Sequence, residues 1–241
     1  MDDIDSLNVI HVAGTKGKGS TCALTESILR QFGLKTGFYS SPHLIHVRER
    51  IRINGIPLSE NEFIKYFDDV YNRLASAVMQ CGDAFKMPAY FKFLTVMAFY
   101  VFLQEKVDVA IMEVGIGGEH DCTNIVENPI LCAVTTLDYD HMAMLGSTIK
   151  EIAWQKGGIF KKHSTAIVAE QEEEAMEVLR NRADERNCLF RLAPPFSAYD
   201  WPTNNNIEIG IGGVHQQHNV TVALQLAKLW LEKTNRQGKL N

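Results

Sequence analysis

The sequence has no excess of basic residues: 24 Lys and Arg stand against 29 Asp and Glu, a formal net charge of -5. Such a chain cannot neutralise a phosphate backbone broadly, which excludes nucleic acid as the expected partner, although a pocket for a small phosphorylated ligand needs only local donors. Cysteine is sparse. The five residues, Cys22, Cys81, Cys122, Cys132 and Cys188, are odd in number and form no CxxC pair, which argues against a disulfide framework and a structural zinc site and fits a reducing compartment. No apolar run reaches the ~20 residues of a membrane span. The longest, FLTVMAFYVFL from Phe93 to Leu103, reads as a buried helix, so no membrane partner is expected. The acidic opening MDDIDSLN is neither a signal peptide nor an Arg-rich transit peptide, so the expected location is cytoplasmic. Internal repeats, low-complexity blocks and an HExxH-like histidine pair are also missing.

What remains is a 241-residue chain with 46% hydrophobic and 22% charged residues, the balance of a globular protein. Asn8 to Ala13 is a short apolar run, and Lys18 to Phe32 follows with helical spacing on Cys22, Leu24, Ile28 and Leu29. Gly33 ends that helix, and Lys35 to Tyr39 reads as the next strand before the polar loop SSPHLIHVRER. Ile51 to Leu58 alternates about Asn54-Gly55, a hairpin signal at a sheet edge, and Ser59 with Glu62 is a capping box opening a helix to about Met79. A second long helix is expected over Pro88 to Lys106. Val107 to Val114 and Pro129 to Thr136 are nearly uniform apolar strands, the pattern of strands covered on both faces. Helix, strand and helix then follow at Ser147–Phe160, Ala166–Ala169 and Glu170–Arg186. Beyond Asn187 loops are expected, with a short strand interrupted at Gly210, before a last helix from about His215 to Thr234. This predicts an α/β fold: a mostly parallel sheet with helices on both faces.

Gly14-Thr15-Lys16-Gly17-Lys18-Gly19-Ser20 lies between a predicted strand and helix. Glycines let backbone N–H groups converge on an anion, the helix N-terminus adds its dipole, and a lysine reaches the outer phosphates. The spacing departs from the ordinary P-loop, which has lysine where Ser20 stands, and this weakens a kinase or GTPase reading. Glu113 falls at the C-terminal tip of a buried strand, where open parallel sheets bind ligands. A carboxylate there suits Mg²⁺, or else caps the glycine turn that follows. Asp138, Asp140 and His141 follow a second strand at the same edge, as a metal or substrate contact or as plain structure. Lys156, in AWQKGGIFKK, reads from spacing alone as a solvated lysine.

Taken in order, three passages resemble the folylpolyglutamate synthase family of the Mur ligase superfamily: IHVAGTKGKGSTCALTESILRQFGLKTGFYSSPHLIHVRERIRINGIPLS, MEVGIGGEHDCTN and LDYDHMAMLGSTIKEIAWQKGGIFK. The final helix HQQHNVTVALQLA also fits. The resemblance implies a P-loop-containing, Mur-ligase-like ATP-binding domain over 1–241, its α/β core at about 8–191 and a loop, short strands and final helix at about 192–241. It implies that Gly14, Thr15, Lys16, Gly17, Lys18, Gly19 and Ser20 serve the ATP phosphates and that Asn219 lies near the base. Ser41 and Glu113 would hold one Mg²⁺, and His141 and Lys156 a second metal region, Lys156 as its carboxylated form. Lys18, His141 and Lys156 are the expected catalytic residues.

The implied reaction joins L-glutamate to the γ-carboxylate of tetrahydrofolate or its polyglutamates through an acyl phosphate, with ATP and two Mg²⁺, in a monomer. Two alternatives stand beside it, a non-catalytic nucleotide-binding module and a dihydrofolate synthase. The family's further glutamate-ligase domain is expected to be absent from this chain, and a mitochondrial form would carry an N-terminal extension.

Overall fold

A computed structural model describes residues 2–82, 85–201, 209, 212, 213 and 215–236. Its centre is an eight-stranded sheet: β1 Ile10–Ala13, β2 Thr36–Tyr39, β3 Ile51–Ile53, β4 Ile56–Pro57, β5 Val109–Glu113, β6 Leu131–Val134, β7 Thr165–Val168 and β8 Leu189–Leu192. The spatial order is β4-β3-β2-β5-β1-β6-β7-β8, parallel from β2 to β8, with β3 and β4 added antiparallel at one edge. Asn54 and Gly55 both take positive φ, 51° and 77°, as the tight turn between β3 and β4 requires.

Alternation along β1 divides the core. Ile10 and Val12 face a cluster with Leu29 of α2 (Lys18–Gln31) and with Val222, Leu226 and Trp230 of α8 (Gln216–Lys233). Val9 and Ala13 face the opposite side. There α4 (Tyr90–Glu105), backed by α3 (Glu60–Cys81), covers β5 and β2, while α6 (Ile149–Gly157) and α7 (Glu173–Glu185) cover β6 and β7. Helix α4 is apolar nearly all round because it is covered from both sides, which explains its long apolar run.

Two short helices complete the described set, α1 (Asp2–Asp5) and α5 (Met142–Leu145). The segment beyond Asn187, expected as loop, contributes β8, pairing Thr165 with Leu189 and Val168 with Leu192. Leu189 and Leu192 are each about half exposed, so an edge strand left no buried run to read. The interrupted strand expected at Gly210 lies outside the described residues.

The chain leaves β1 toward β2 on one side and leaves β6 toward β7 on the other. The crevice outside the carboxyl ends of β5, β1 and β6 is therefore the topological switch point where open α/β sheets take their ligands.

Candidate functional site

Three loops meet at that crevice. The first runs from β1 to α2. Gly14 and Gly17 have φ of 148° and 83°, and Gly17 is the left-handed N-cap of α2. A Cβ at Gly14 would collide with Thr135, and one at Gly17 with Asn219, so neither position has room for a side chain. A Cβ at Gly19 would sit 3.6 Å from both oxygens of Glu113, which places the start of α2 directly against that carboxylate. Lys18 opens the helix and faces a cavity of about 710 Å³ that is also lined by Ser41, Arg50, Tyr90, Asp121 and His141.

Strand β6 fixes this loop. The N–H groups of Thr15 and Lys16 both donate to Thr136 O at 3.0 Å, and Thr15 Oγ1 donates to Asp138 O at 3.0 Å. Thr135 Oγ1 donates to Lys16 O at 2.7 Å, while the Gln171 amide bridges Thr135 O and Leu137 N. Composition and spacing flagged none of Thr135, Thr136 or Gln171, because their part depends on contacts across the sheet.

Glu113 ends β5 and is 5% exposed; its Oε2 accepts from Ser41 N at 3.1 Å. Burial raises its pKa, opposed by Lys18, the Ser41 N–H and Arg50. A buried carboxylate disfavoured as an anion, beside the glycine loop and the Ser41 N–H, is a group whose charged form a divalent cation would stabilise. It does not cap the glycine turn that follows; Asp121 does, accepting from Ile116 N and Thr123 N.

Lys156 corrects the solvated reading: it is 3% exposed, and its Nζ donates to Gly14 O at 2.8 Å, touching the glycine loop from below. Burial first, and Lys18 second, lower its pKa from 10.5 to about 8. His141 is the left-handed N-cap of α5, half exposed, with Nε2 3.8 Å from Asp140 Oδ2. It borders the cavity with Lys18 and Ser41, whereas Lys156 does not line it. Asn219 lies on the far side of the loop, in a separate cavity of about 370 Å³ with Lys16, Gly17, Ser20 and Gln216, and its amide donates to Gln216 Oε1 at 2.8 Å.

The structure thus brings Gly14–Ser20, Ser41, Glu113 and Lys156 together and sets His141 and Asn219 at opposite flanks. Among the described residues no helix is long and apolar enough to cross a membrane.

The Mur ligase middle domain matches residues 87–193. Among curated proteins, the mitochondrial folylpolyglutamate synthase of Homo sapiens is 53% identical over 238 residues, covering 99% of this chain and 40% of that protein. The folylpolyglutamate synthase of Arabidopsis thaliana is 45% identical over 235 residues, covering 98% and 40%. Among solved structures, an FPGS–AMPPCP–folate complex aligns with a TM-score of 0.85 at 30% identity, over 94% of this chain and 58% of that one. A Mycobacterium tuberculosis folylpolyglutamate synthase complexed with ADP aligns with a TM-score of 0.85 at 27% identity, over 96% and 56%. The chain spans about 40% of the length of these two curated relatives.

Proposed function

We propose, from the match to the Mur ligase middle domain and the similarity of almost the whole chain to folylpolyglutamate synthases, that the chain is the ATP-binding part of an ATP-dependent ligase. The reaction adds L-glutamate to the γ-carboxylate of tetrahydrofolate or its polyglutamates. The observation that carries this reading is the glycine loop between β1 and α2, closed against Glu113 on one side and Lys156 on the other.

The γ-carboxylate oxygen of the acceptor attacks the γ-phosphorus of ATP and ADP leaves. The amine of glutamate then attacks the acyl carbon, phosphate leaves, and the amine gives up a proton. Charge spread over the transferring phosphoryl group is what the protein must stabilise, so positioning and electrostatics matter more than a protein nucleophile. In this reading the loop amides and Lys18 hold the phosphates, and Asn219 borders the base. Ser41 and Glu113 are the residues that would hold Mg²⁺, with His141 and Lys156 at a second position. When bound, such a cation neutralises charge on the phosphate oxygens.

Lys156 serves there as an anion. Its neutral amine adds CO₂ and loses a proton to give a carbamate, and burial promotes the neutral form. At pH 8 about half of an amine with this pKa is neutral, against roughly 0.3% for an ordinary lysine. The reading puts the protein in the soluble interior of the cell, cytosol or mitochondrial matrix.

The test is ATP-dependent incorporation of glutamate into tetrahydrofolate, by a chain carrying this sequence at the length of its relatives. Product formation that falls at least 100-fold with Lys18→Ala is expected; no product, or full activity in Lys18→Ala, sinks the assignment. Preference for dihydropteroate over tetrahydrofolate in competition would make it a dihydrofolate synthase.

A further inference from the structure

Arg50 closes the turn before β3 and is 8% exposed, yet it lines the 710 Å³ cavity beside Lys18. A guanidinium is charged at every physiological pH, and burying one without an anion is unfavourable unless a partner arrives. Its direct partners are neutral, although its charge is felt by Glu113. Nε donates to His43 Nδ1 at 2.9 Å, and Cζ stands 5.6 Å from the centroid of the Tyr90 ring.

The nearby acids are engaged elsewhere. Glu49, next in sequence, accepts from the N–H groups of Leu44, Ile45 and His46. Asp121 accepts from Ile116 N and from Thr123 N and Oγ1. Asp140 accepts from His141 N, and Glu113 accepts from Ser41 N. Among the described residues no carboxylate forms an ion pair with Arg50.

We propose that Arg50 anchors a carboxylate of the acceptor substrate, one that is retained through the reaction, in the cavity that also receives Lys18. This rests on the ligase reading, in which the acceptor ends in a glutamyl group with two carboxylates. A planar guanidinium holds a spectator carboxylate through two parallel N–H···O bonds. Lys18, a compact cation at the phosphate loop, serves the other, reacting end. Arg50 thereby selects for an acceptor with a charged terminus and points its second carboxylate toward the phosphoryl group. The apolar walls offered by Tyr90 and Phe91 leave room for an aromatic body behind that terminus.

The experiment is calorimetric titration of a chain carrying this sequence at the length of its relatives with two probes: folate, and the folate diamide in which both carboxylates are carboxamides. Mg–AMPPCP binding serves as the control. The unsubstituted chain is expected to prefer folate, and Arg50→Gln to lose about 10- to 100-fold in folate affinity with the diamide and AMPPCP unchanged. Equal losses for folate and diamide, an unchanged folate affinity, or no preference in the unsubstituted chain overturns the anchor. If Arg50→Gln fails to bind AMPPCP because it does not fold, Arg50→Lys decides. The lysine keeps the charge and loses the fork, so a preference for folate reduced but not abolished supports the anchor, and an unchanged preference overturns it. Failure of the unsubstituted chain to bind AMPPCP refutes the ligase reading itself, a result separate from any effect of the Arg50 variants.

Discussion

His11 supplies a test of the fold's electrostatics. It lies on β1 with no exposed surface, on the sheet face between the α4 side and the α6 side. Its Nε2 is 2.7 Å from Thr123 Oγ1, which itself donates to Asp121 Oδ1 at 2.6 Å. The hydroxyl has one proton and Asp121 takes it, so His11 must donate through Nε2–H. Nδ1 then carries the lone pair and has no partner among the described residues. This tautomer is neutral, and burial, aided by Lys161, holds the pKa down from 6.5 to about 3. In the unfolded chain the imidazole protonates below pH 6.5; in the folded chain it does not until about pH 3. The unfolded state therefore binds more protons in that window, and stability falls as pH falls. From pH 6.5 to 5 the loss from this one group is about 2 kcal/mol, at about 1.4 kcal/mol per pH unit. Urea denaturation of the protein and of His11→Leu at pH 7 and pH 5 isolates it, because other carboxylates and histidines contribute equally to both. The variant should lose about 2 kcal/mol less than the parent over this range. Parallel pH profiles would refute the buried neutral imidazole.

The same method applied to Lys156→Met in CO₂-free buffer has the same sign in a more alkaline window. The parent carries the penalty of a buried ammonium below pH 8 and sheds about 3 kcal/mol of it between pH 8 and 10.5, where the folded amine is neutral and the unfolded one still charged; a variant that keeps pace with the parent contradicts the burial. Gly17→Ala places a methyl on Asn219 at a left-handed φ of 83° and should abolish AMPPCP binding in calorimetry, with about 1–3 kcal/mol of stability lost in denaturation. Thr135→Val leaves Lys16 O without its donor and should weaken AMPPCP binding with about 1–2 kcal/mol of destabilisation, while Thr135→Ser restores both; equal behaviour of the two variants would remove the hydroxyl from the account.

Apolar runs and turn signals placed most of the architecture in advance. β1, β2, β5, β6 and β7 are uniformly buried, and a strand covered on both faces announces itself as a continuous apolar stretch. The capping box at Ser59–Glu62 and the Asn54-Gly55 turn are local chemistry, and both formed as read. β8 escaped because an edge strand with exposed Leu189 and Leu192 buries too little to be distinctive. For Lys156 the deciding contact is with Gly14, 142 residues away, and helical spacing says nothing about it. Only the resemblance to a family marked that lysine. Arg50 was one of several cations in a polar loop, and its burial depends on Tyr90 and His43 closing around it.

The carbonyl of Thr136 receives two N–H groups from the glycine loop, and Thr15 reaches on to Asp138 O. The glycine loop and the loop bearing Asp138, Asp140 and His141 are thus fastened to each other as well as to the sheet. Neither can shift without breaking three hydrogen bonds or carrying the other with it. On the proposed reading, a nucleotide that settles the first loop also settles the groups at the second. Whatever factor occupancy at one loop applies to affinity at the other, the reverse effect has the same factor, as linkage requires. On the proposed reading, phosphate grip and cation grip are one equilibrium with two handles.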